Sequence, residues 1–213
     1  MTLLENTSTD WTAQVSEWCD QLASDDYIVI DDILSSELYQ EIRSFFLSKL
    51  EEDDFNKAGI GAQSNHQVVE AIRGDFVYWL DTNRDEPIHA FFGWIEELRV
   101  LLNRNLMLSM SDYEFHLAHY PAGTYYKRHL DQFKGRNNRL LTLIIYLNEN
   151  WQPGDGGELK IIKERSEKII QPIANRGIIF RSDTIPHEVL TTNKSRYSLT
   201  GWLLYRPVGI GYL

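Results

Sequence analysis

Apolar residues recur at three- and four-residue intervals in three segments in the first half of the chain, the spacing of amphipathic helices. The first segment covers residues 1–24 and carries Trp11 and Val15 on its apolar stripe. The second follows Ser35, a residue type that commonly caps helices, and the third covers 86–104. We expect these helices to pack against a sheet.

Short runs of β-branched and aromatic residues make up most of the remaining chain. The predicted strands are 27–32, 76–80, 113–120, 140–147, 159–162, 169–173, 177–180, 187–190 and 197–205. Many short strands separated by Gly, Pro or Asn turns indicate a sandwich or barrel rather than a parallel α/β sheet. The predicted fold is mainly β with flanking helices (α+β), a double-stranded β-helix or cupin-like jelly roll.

One domain is expected over residues 1–213, since the 213 residues include 43% hydrophobic and 12% aromatic side chains, enough for one core. Residues 1–110 would give helical support and residues 111–207 the jelly-roll core. A polar, glycine-bearing loop at about 52–75 interrupts the first part.

Charge, hydropathy and cysteine content limit the partners and the cellular compartment expected for this protein. The net charge of -10 argues against a nucleic-acid partner. No apolar run is long enough to cross a bilayer, and the N-terminus lacks the basic start and apolar core of a secretion signal. Cys19 is the single cysteine, so no internal disulfide can form. A cytoplasmic protein is expected, with its oligomeric state left open.

Candidate metal chemistry centres on His129 and Asp131. Side chains two apart on an extended strand leave the same face. One imidazole and one carboxylate are two of the three ligands that hold non-haem Fe(II). His187 is the candidate third ligand, and Arg196 follows nine residues later. Alone, the His-x-Asp pattern occurs by chance on solvated strand edges, so its weight comes from this ordered set.

Four other histidines compete for the metal: His66, His89, His116 and His119. Only His129 is paired with a same-face carboxylate, which favours it as the ligand. His116 and His119, on the strand before, are alternatively expected in the core or in support of the site.

The ordered set also contains an apolar strand with Tyr146 and a Gly-Gly turn at 156–157. Over roughly residues 57–205 it resembles the 2-oxoglutarate- and Fe(II)-dependent oxygenases, specifically prolyl hydroxylases of the oxygen-sensing type and their bacterial relatives. The resemblance implies the same jelly-roll fold. It also implies hydroxylation of a prolyl residue, coupled to decarboxylation of 2-oxoglutarate to succinate and CO2, with dioxygen as the other substrate and ascorbate as a further cofactor. The implied iron ligands are His129, Asp131 and His187.

Arg196 is the expected partner of the distal carboxylate of 2-oxoglutarate, because a guanidinium group binds a carboxylate with two parallel hydrogen bonds. Its nine-residue spacing from His187 is that of the oxygen-sensing type. Collagen-type relatives place a lysine one position later, where this chain has Tyr197. The resemblance and the strand faces imply further co-substrate contacts at Tyr146, Tyr120, Thr200, Ile144 and Trp202.

Substrate contacts are expected on the other side of the metal. The segment 58–79 resembles the mobile loop that closes over substrate in the oxygen-sensing enzymes, where an Ile-Arg-Gly-Asp run also occurs. Arg73 and Asp75 would orient that loop or a peptide, or else form a surface ion pair. Tyr126 resembles a tyrosine beside metal and substrate. The translation factor EF-Tu, the target of a bacterial relative, is a candidate protein substrate.

Three alternative functions remain at this point. The first is a 2-oxoglutarate oxygenase of a small molecule such as a free amino acid, although the loop at 52–75 favours a peptide. The second is a non-catalytic metal-binding jelly-roll module, which a complete ligand set with Arg196 disfavours. The third is a cupin-type metal protein without 2-oxoglutarate, in which Arg196 and Tyr146 would have no reason to converge.

Overall fold

The helices support one side of a β structure. The computed structural model describes residues 4–58, 73–132 and 138–206, and within them three α-helices. These are α1 (Leu4–Asp25), α2 (Ser36–Glu51) and α3 (His89–Leu106), the last preceded by a 3-10 turn at Glu86–Ile88. The Ser35 hydroxyl accepts a hydrogen bond from the Leu38 amide at 3.2 Å, so the predicted N-cap is confirmed.

Eleven strands occur in the described part of the chain, and they form two antiparallel sheets. They are β1 (Tyr27–Ile30), β2 (Asn56–Lys57), β3 (Phe76–Trp79), β4 (Asp112–Tyr120), β5 (Tyr126–His129), β6 (Arg139–Tyr146), β7 (Leu159–Lys163), β8 (Ser166–Ile170), β9 (Gly177–Arg181), β10 (His187–Val189) and β11 (Arg196–Leu204). The larger sheet has the order β1-β9-β6-β11-β4-β3-β2, and the smaller has the order β5-β10-β7-β8. The predicted fold class, a jelly roll with flanking helices, is confirmed.

Successive side chains on the strands of the larger sheet point to opposite faces, so the hydrophobic core has two parts. On β6, Leu143 and Ile145 belong to the cluster that packs against the helices. Ile144 and Tyr146 point the other way, into a cluster shared with Leu159 and other residues of the smaller sheet. The helices therefore cover one face of the larger sheet, and the other face meets the smaller sheet around the inner cluster.

Two predictions of local structure were wrong. The strand expected at 169–173 is β8, which ends at Ile170 and forms a hairpin with β7 in which Lys163 pairs with Ser166. Residues 166–169 are exposed and mostly polar, so their sequence does not carry an apolar strand pattern. The predicted loop at 52–75 contains the short strand β2, which pairs with β3. Its residues 59–72 lie outside the described residues.

None of the described helices combines the length and hydropathy that a bilayer span needs.

Candidate active site

Two histidines from different strands meet at the edge of the smaller sheet. His187 on β10 pairs with His129 on β5, and their ring centroids are 4.3 Å apart. Oδ1 of Asp131 lies 3.5 Å from Nε2 of His129, and its Oδ2 lies 3.7 Å from Nε2 of His187. The three side chains offer ligand atoms that all lie within 4.8 Å of one another. Pairing of β5 with β10 thus brings together residues that are far apart in the sequence.

Asp131 reaches the two histidines from a bend, not from a strand. Strand β5 ends at His129, so the expectation that both residues extend from one strand face was wrong. The Thr142 hydroxyl on β6 donates a 2.7 Å hydrogen bond to Oδ2 of Asp131 and lies 2.9 Å from the Ser182 hydroxyl. Arg139 donates to the Asp131 carbonyl at 3.1 Å. These bonds fix the carboxylate where strand geometry does not.

Backbone carbonyl groups orient both imidazole rings. Nδ1 of His129 lies 2.7 Å from the Lys127 carbonyl oxygen, and Nδ1 of His187 lies 3.1 Å from that of Ile185. A carbonyl oxygen only accepts hydrogen bonds, so each Nδ1 carries the proton. Each Nε2 is then left with its lone pair, on the side where Asp131 lies. This tautomer is the one a metal-binding histidine needs.

The electrostatics of the cluster favour a cation. Burial alone would raise the pKa of Asp131, but positive charge on the two histidines, when they are protonated, and the Thr142 hydroxyl outweigh it and hold that pKa well below its usual range. Burial lowers the pKa of His187 to about 4. One carboxylate and two neutral imidazoles are the donor set of non-haem Fe(II), so the residues fit this metal.

Two of the competing histidines have polar contacts away from the metal-ligand candidates. His89 is bonded to the Thr82 carbonyl, and His119 lies 3.2 Å from the Ser195 hydroxyl. His116 is buried in the cavity wall, in a three-ring cluster with Trp79 and Trp202. His66 lies outside the described residues.

A cavity of about 390 Å³ adjoins the metal-ligand candidates and also contains Arg196. Arg196 is 3% exposed, and no described carboxylate forms an ion pair with it. Its Nε donates a 2.7 Å hydrogen bond to the Gly157 carbonyl, while its guanidinium carbon lies 4.9 Å from the ring centroids of both Tyr120 and Tyr146. The guanidinium group is held by these aromatic faces, this carbonyl and the Ser198 hydroxyl, which lies 3.4 Å from Nη1. Such a buried cation lacks an anionic partner, which a bound carboxylate would provide.

The residues predicted to contact the co-substrate mostly line the same cavity. Its walls include four of them, namely Tyr120, Ile144, Thr200 and Trp202. Tyr146 is fully buried in the inner cluster, and its hydroxyl has no hydrogen-bond partner among the described residues. Burial raises the pKa of Tyr146, although nearby Arg196 opposes this effect. An unpartnered hydroxyl beside a buried guanidinium group is what a carboxylate ligand would satisfy.

Tyr126, Arg73 and Asp75 lie on the other side of His129. The Tyr126 ring stacks on the His129 ring with centroids 3.6 Å apart, and the Arg73 guanidinium lies 4.5 Å from the Tyr126 ring centroid. Arg73 Nε donates to Asp75 at 2.7 Å. Asp75 is 0% exposed, so the alternative of a surface ion pair was wrong. Arg73 forms part of the cavity wall, and the buried Asp75 holds its guanidinium group there.

Two residues of the site were not recognised from the sequence. Gly157 was interpreted only as a turn residue, and its φ of +75° agrees with that. It also supplies the carbonyl that holds Arg196, and a Cβ at this position would lie 2.8 Å from Cδ of Arg196. Thr142 is the second, and its bond to Asp131 depends on how the bend after β5 folds back.

Comparisons with known proteins agree with this geometry. A sequence model of the 2OG-Fe(II) oxygenase superfamily matches residues 115–204. Prolyl hydroxylase EGLN3 of Mus musculus is 34% identical over 140 residues, which cover 62% of this chain and 58% of the mouse protein. A hypoxia-inducible factor prolyl hydroxylase of Caenorhabditis elegans is 28% identical over 203 residues, 84% of this chain and 26% of that protein. The chain therefore spans a little over half of the first relative and about a quarter of the second.

Solved structures match over nearly the whole chain. A Pseudomonas putida prolyl-4-hydroxylase is 33% identical, with a TM-score of 0.82, covering 90% of this chain and 99% of that one. A Trichoplax adhaerens prolyl hydroxylase, solved in complex with a peptide fragment of the hypoxia inducible factor oxygen degradation domain, is 27% identical. Its TM-score is 0.83, and the match covers 92% of each chain.

Proposed function

Because the chain belongs to the prolyl hydroxylase branch of the 2-oxoglutarate- and Fe(II)-dependent oxygenases, we propose that it hydroxylates a prolyl residue in a peptide or protein. The reaction consumes dioxygen and converts 2-oxoglutarate to succinate and CO2. We further propose that residues 1–213 act as one oxygenase domain, with helical support in 1–110 and the catalytic core in 111–207. The observation that carries the proposal is a cavity containing both a metal-ligand triad and a buried arginine without an acidic partner among the described residues.

In this proposal His129, Asp131 and His187 hold the metal. Fe(II), when bound there, supplies the oxidative chemistry that couples decarboxylation of the keto acid to hydroxylation. The carbonyl groups that accept hydrogen bonds from each Nδ1 keep both rings in the binding tautomer, and Thr142 keeps the carboxylate turned towards them.

Arg196 and Tyr146 bind the distal carboxylate of 2-oxoglutarate. The guanidinium group is anchored through Nε on the Gly157 carbonyl, and Nη1 makes only a long 3.4 Å contact with the Ser198 hydroxyl, so the terminal nitrogens stay available to a ligand. The buried Tyr146 hydroxyl would donate a second kind of hydrogen bond to the same carboxylate. The apolar side chain of Ile144 and the ring of Tyr120 keep water from this end of the cavity.

A peptide substrate is supported by the surface around the cavity. Trp79 is 49% exposed and Leu130 is 42% exposed, although both line the cavity. Exposed apolar side chains at the mouth offer contacts to residues on either side of a target proline. A free amino acid would leave them unused. The peptide complex of the Trichoplax adhaerens relative supports the same choice.

Other parts of the proposal stay predictions. Arg73 and Tyr126 are proposed to contact the peptide, because they line the cavity beside His129, and Asp75 is proposed to orient Arg73 for that contact. Use of ascorbate, a cytoplasmic location and EF-Tu as a target are predicted from the resemblance and from composition alone.

The test is turnover on a panel of short capped peptides with one central proline and varied flanking residues. The purified protein would be supplied with Fe(II), 2-oxoglutarate and oxygen, and succinate would be measured together with the peptide mass. We expect succinate release matched by a mass gain of one oxygen atom on proline. Succinate release with free proline or another amino acid, and none with any peptide, would favour the small-molecule oxygenase instead.

A further inference from the structure

His116 is a buried polar residue in the cavity wall to which neither metal binding nor co-substrate binding gives a role. It lies on β4, opposite Thr200 on β11 and Trp79 on β3. Its ring centroid is 4.9 Å from that of Trp79 and 5.4 Å from that of Trp202. The side chain lines the cavity and is 4% exposed.

Two ring nitrogens at this place have no hydrogen-bond partner within the described residues, Nδ1 of His116 and Nε1 of Trp202. Buried polar atoms are nearly always bonded, so an unpartnered pair in one cavity wall points to a ligand. Burial lowers the pKa of His116 to about 3, with Arg73 acting in the same direction, so the imidazole is neutral at physiological pH. A neutral imidazole has one N–H donor, and the indole Nε1 can only donate. A carbonyl oxygen could accept from both.

The pairing of β4 with β11 places His116 nearer the mouth of the cavity than the Arg196 guanidinium group. Tyr120 pairs with Arg196, and His116 is four residues further along β4, about 13 Å at the usual rise of a strand. The carboxyl carbons of 2-oxoglutarate are separated by four carbon–carbon bonds, about 5 Å when extended. Because Nη1 of Arg196 reaches along β11 to the Ser198 hydroxyl at 3.4 Å, a bound keto acid extends from the guanidinium group, which lies between the levels of Tyr120 and His116. Trp79, the cross-strand neighbour of His116, is half exposed, which places this level at the opening.

From these observations we propose that His116 is a substrate-positioning residue, which hydrogen-bonds a main-chain carbonyl group of the peptide next to the target proline. This inference rests on the proposed function and deepens it, since it assigns a polar contact on the peptide side of the cavity. The rings of Trp79 and Trp202, whose centroids are 6.2 Å apart, pack on neighbouring sides of the imidazole. Arg139, whose guanidinium carbon lies 3.3 Å from the Trp202 ring centroid, positions that indole in turn. The contact would fix the depth to which the peptide enters, and with it the position of the proline relative to the metal.

The test compares two replacements of His116 in the iron-loaded protein, with the best proline peptide of the panel. His116→Met is apolar and of similar size, whereas His116→Gln keeps a donor and an acceptor. We expect the Met variant to raise the KM for peptide about tenfold, and the Gln variant to stay within about threefold of the unchanged protein. Both variants should have the same KM for 2-oxoglutarate as the unchanged protein. His119→Gln is the matched control, because His119 lies on the other face of β4 and is bonded to Ser195.

A second measurement does not depend on turnover. In protein with 15N-labelled histidine, loaded with zinc and 2-oxoglutarate, addition of the same peptide should shift the ring nitrogens of His116. Their resonances are identified by their loss in His116→Gln. Equal peptide KM values for the Met and Gln variants, a changed KM for 2-oxoglutarate, or ring nitrogens that do not respond to peptide would each overturn the proposal. Absence of succinate from the unchanged protein would instead reject the proposed function, and the inference with it.

Discussion

Replacing Gly157 by alanine should weaken co-substrate binding without touching a metal ligand. Gly157 has a φ of +75°, and its carbonyl accepts the 2.7 Å hydrogen bond from Nε of Arg196. A Cβ at this position would lie 2.8 Å from Cδ of Arg196 and 3.0 Å from the Thr192 hydroxyl oxygen. The new methyl group would be crowded by Arg196 and by the Thr192 side chain at the same time. The Arg196 side chain must therefore move away from its present position.

Two effects contribute to the expected loss of stability. Alanine in a left-handed backbone conformation costs roughly 1–2 kcal/mol, and overpacking of a buried site adds a comparable amount, so the free energy of unfolding should fall by roughly 2–4 kcal/mol. The functional effect is separate. If Arg196 loses its alignment with the distal carboxylate, one or two charge-assisted hydrogen bonds weaken, which would raise the KM for 2-oxoglutarate roughly ten- to hundredfold.

Gly154→Ala provides the matched control. Gly154 also has a positive φ, of +98°, but a Cβ there would have no atom within 4 Å. Urea denaturation and 2-oxoglutarate titration of both variants separate backbone strain from displacement of Arg196. We expect both variants to lose stability and only Gly157→Ala to lose affinity for the keto acid. If the two variants have the same KM for 2-oxoglutarate, the role assigned to the Gly157–Arg196 contact is refuted.

Three further predictions concern single side chains. Thr142→Val removes the 2.7 Å hydrogen bond to Asp131 and should weaken iron binding roughly tenfold or more in an anaerobic titration; unchanged affinity would show that the bond does not position the carboxylate. Tyr146→Phe removes a hydroxyl that has no partner among the described residues, so the midpoint of thermal unfolding should stay unchanged while the KM for 2-oxoglutarate rises about tenfold. A lower unfolding midpoint with an unchanged KM would contradict this. Burial lowers the pKa of His116 from 6.5 to about 3, so the unfolded chain takes up a proton that the folded chain cannot. His116 alone should therefore lower the free energy of unfolding by about 1.4 kcal/mol per pH unit as the pH drops below about 6 towards 3, in addition to the fall caused by His187. Chemical denaturation of His116→Gln should show a shallower fall than the unchanged protein.

Element types were largely predictable from the sequence, because they depend on local patterns. The alternation of β4 and the helical stripe of α3 are both strong, and both elements form close to their predicted bounds. Strand β8 was misplaced because its residues 166–169 face solvent. An exposed hairpin has no buried face, so its sequence does not alternate between apolar and polar residues. The pattern thus predicts elements that contribute to the core better than those at the edge.

Convergence of the site depends on contacts that no local pattern records. The register that places His187 opposite His129 is set by the whole smaller sheet. The bend that carries Asp131 is held by Thr142, eleven residues later, and by Arg139. Gly157 acquires its contact with Arg196 only when the turn before β7 packs against the start of β11. Sequence reasoning identified residue types suited to iron, whereas their supporting hydrogen bonds required the folded chain.

The most direct test of the account is an anaerobic titration with Fe(II), followed by 2-oxoglutarate, on the unchanged protein, Asp131→Ala and Arg196→Ala. The unchanged protein should bind stoichiometric iron and then the keto acid. Asp131→Ala should lose the iron, whereas Arg196→Ala should keep the iron and bind 2-oxoglutarate more weakly. Iron bound equally well by Asp131→Ala, or the keto acid bound equally well by Arg196→Ala, would contradict the arrangement proposed here.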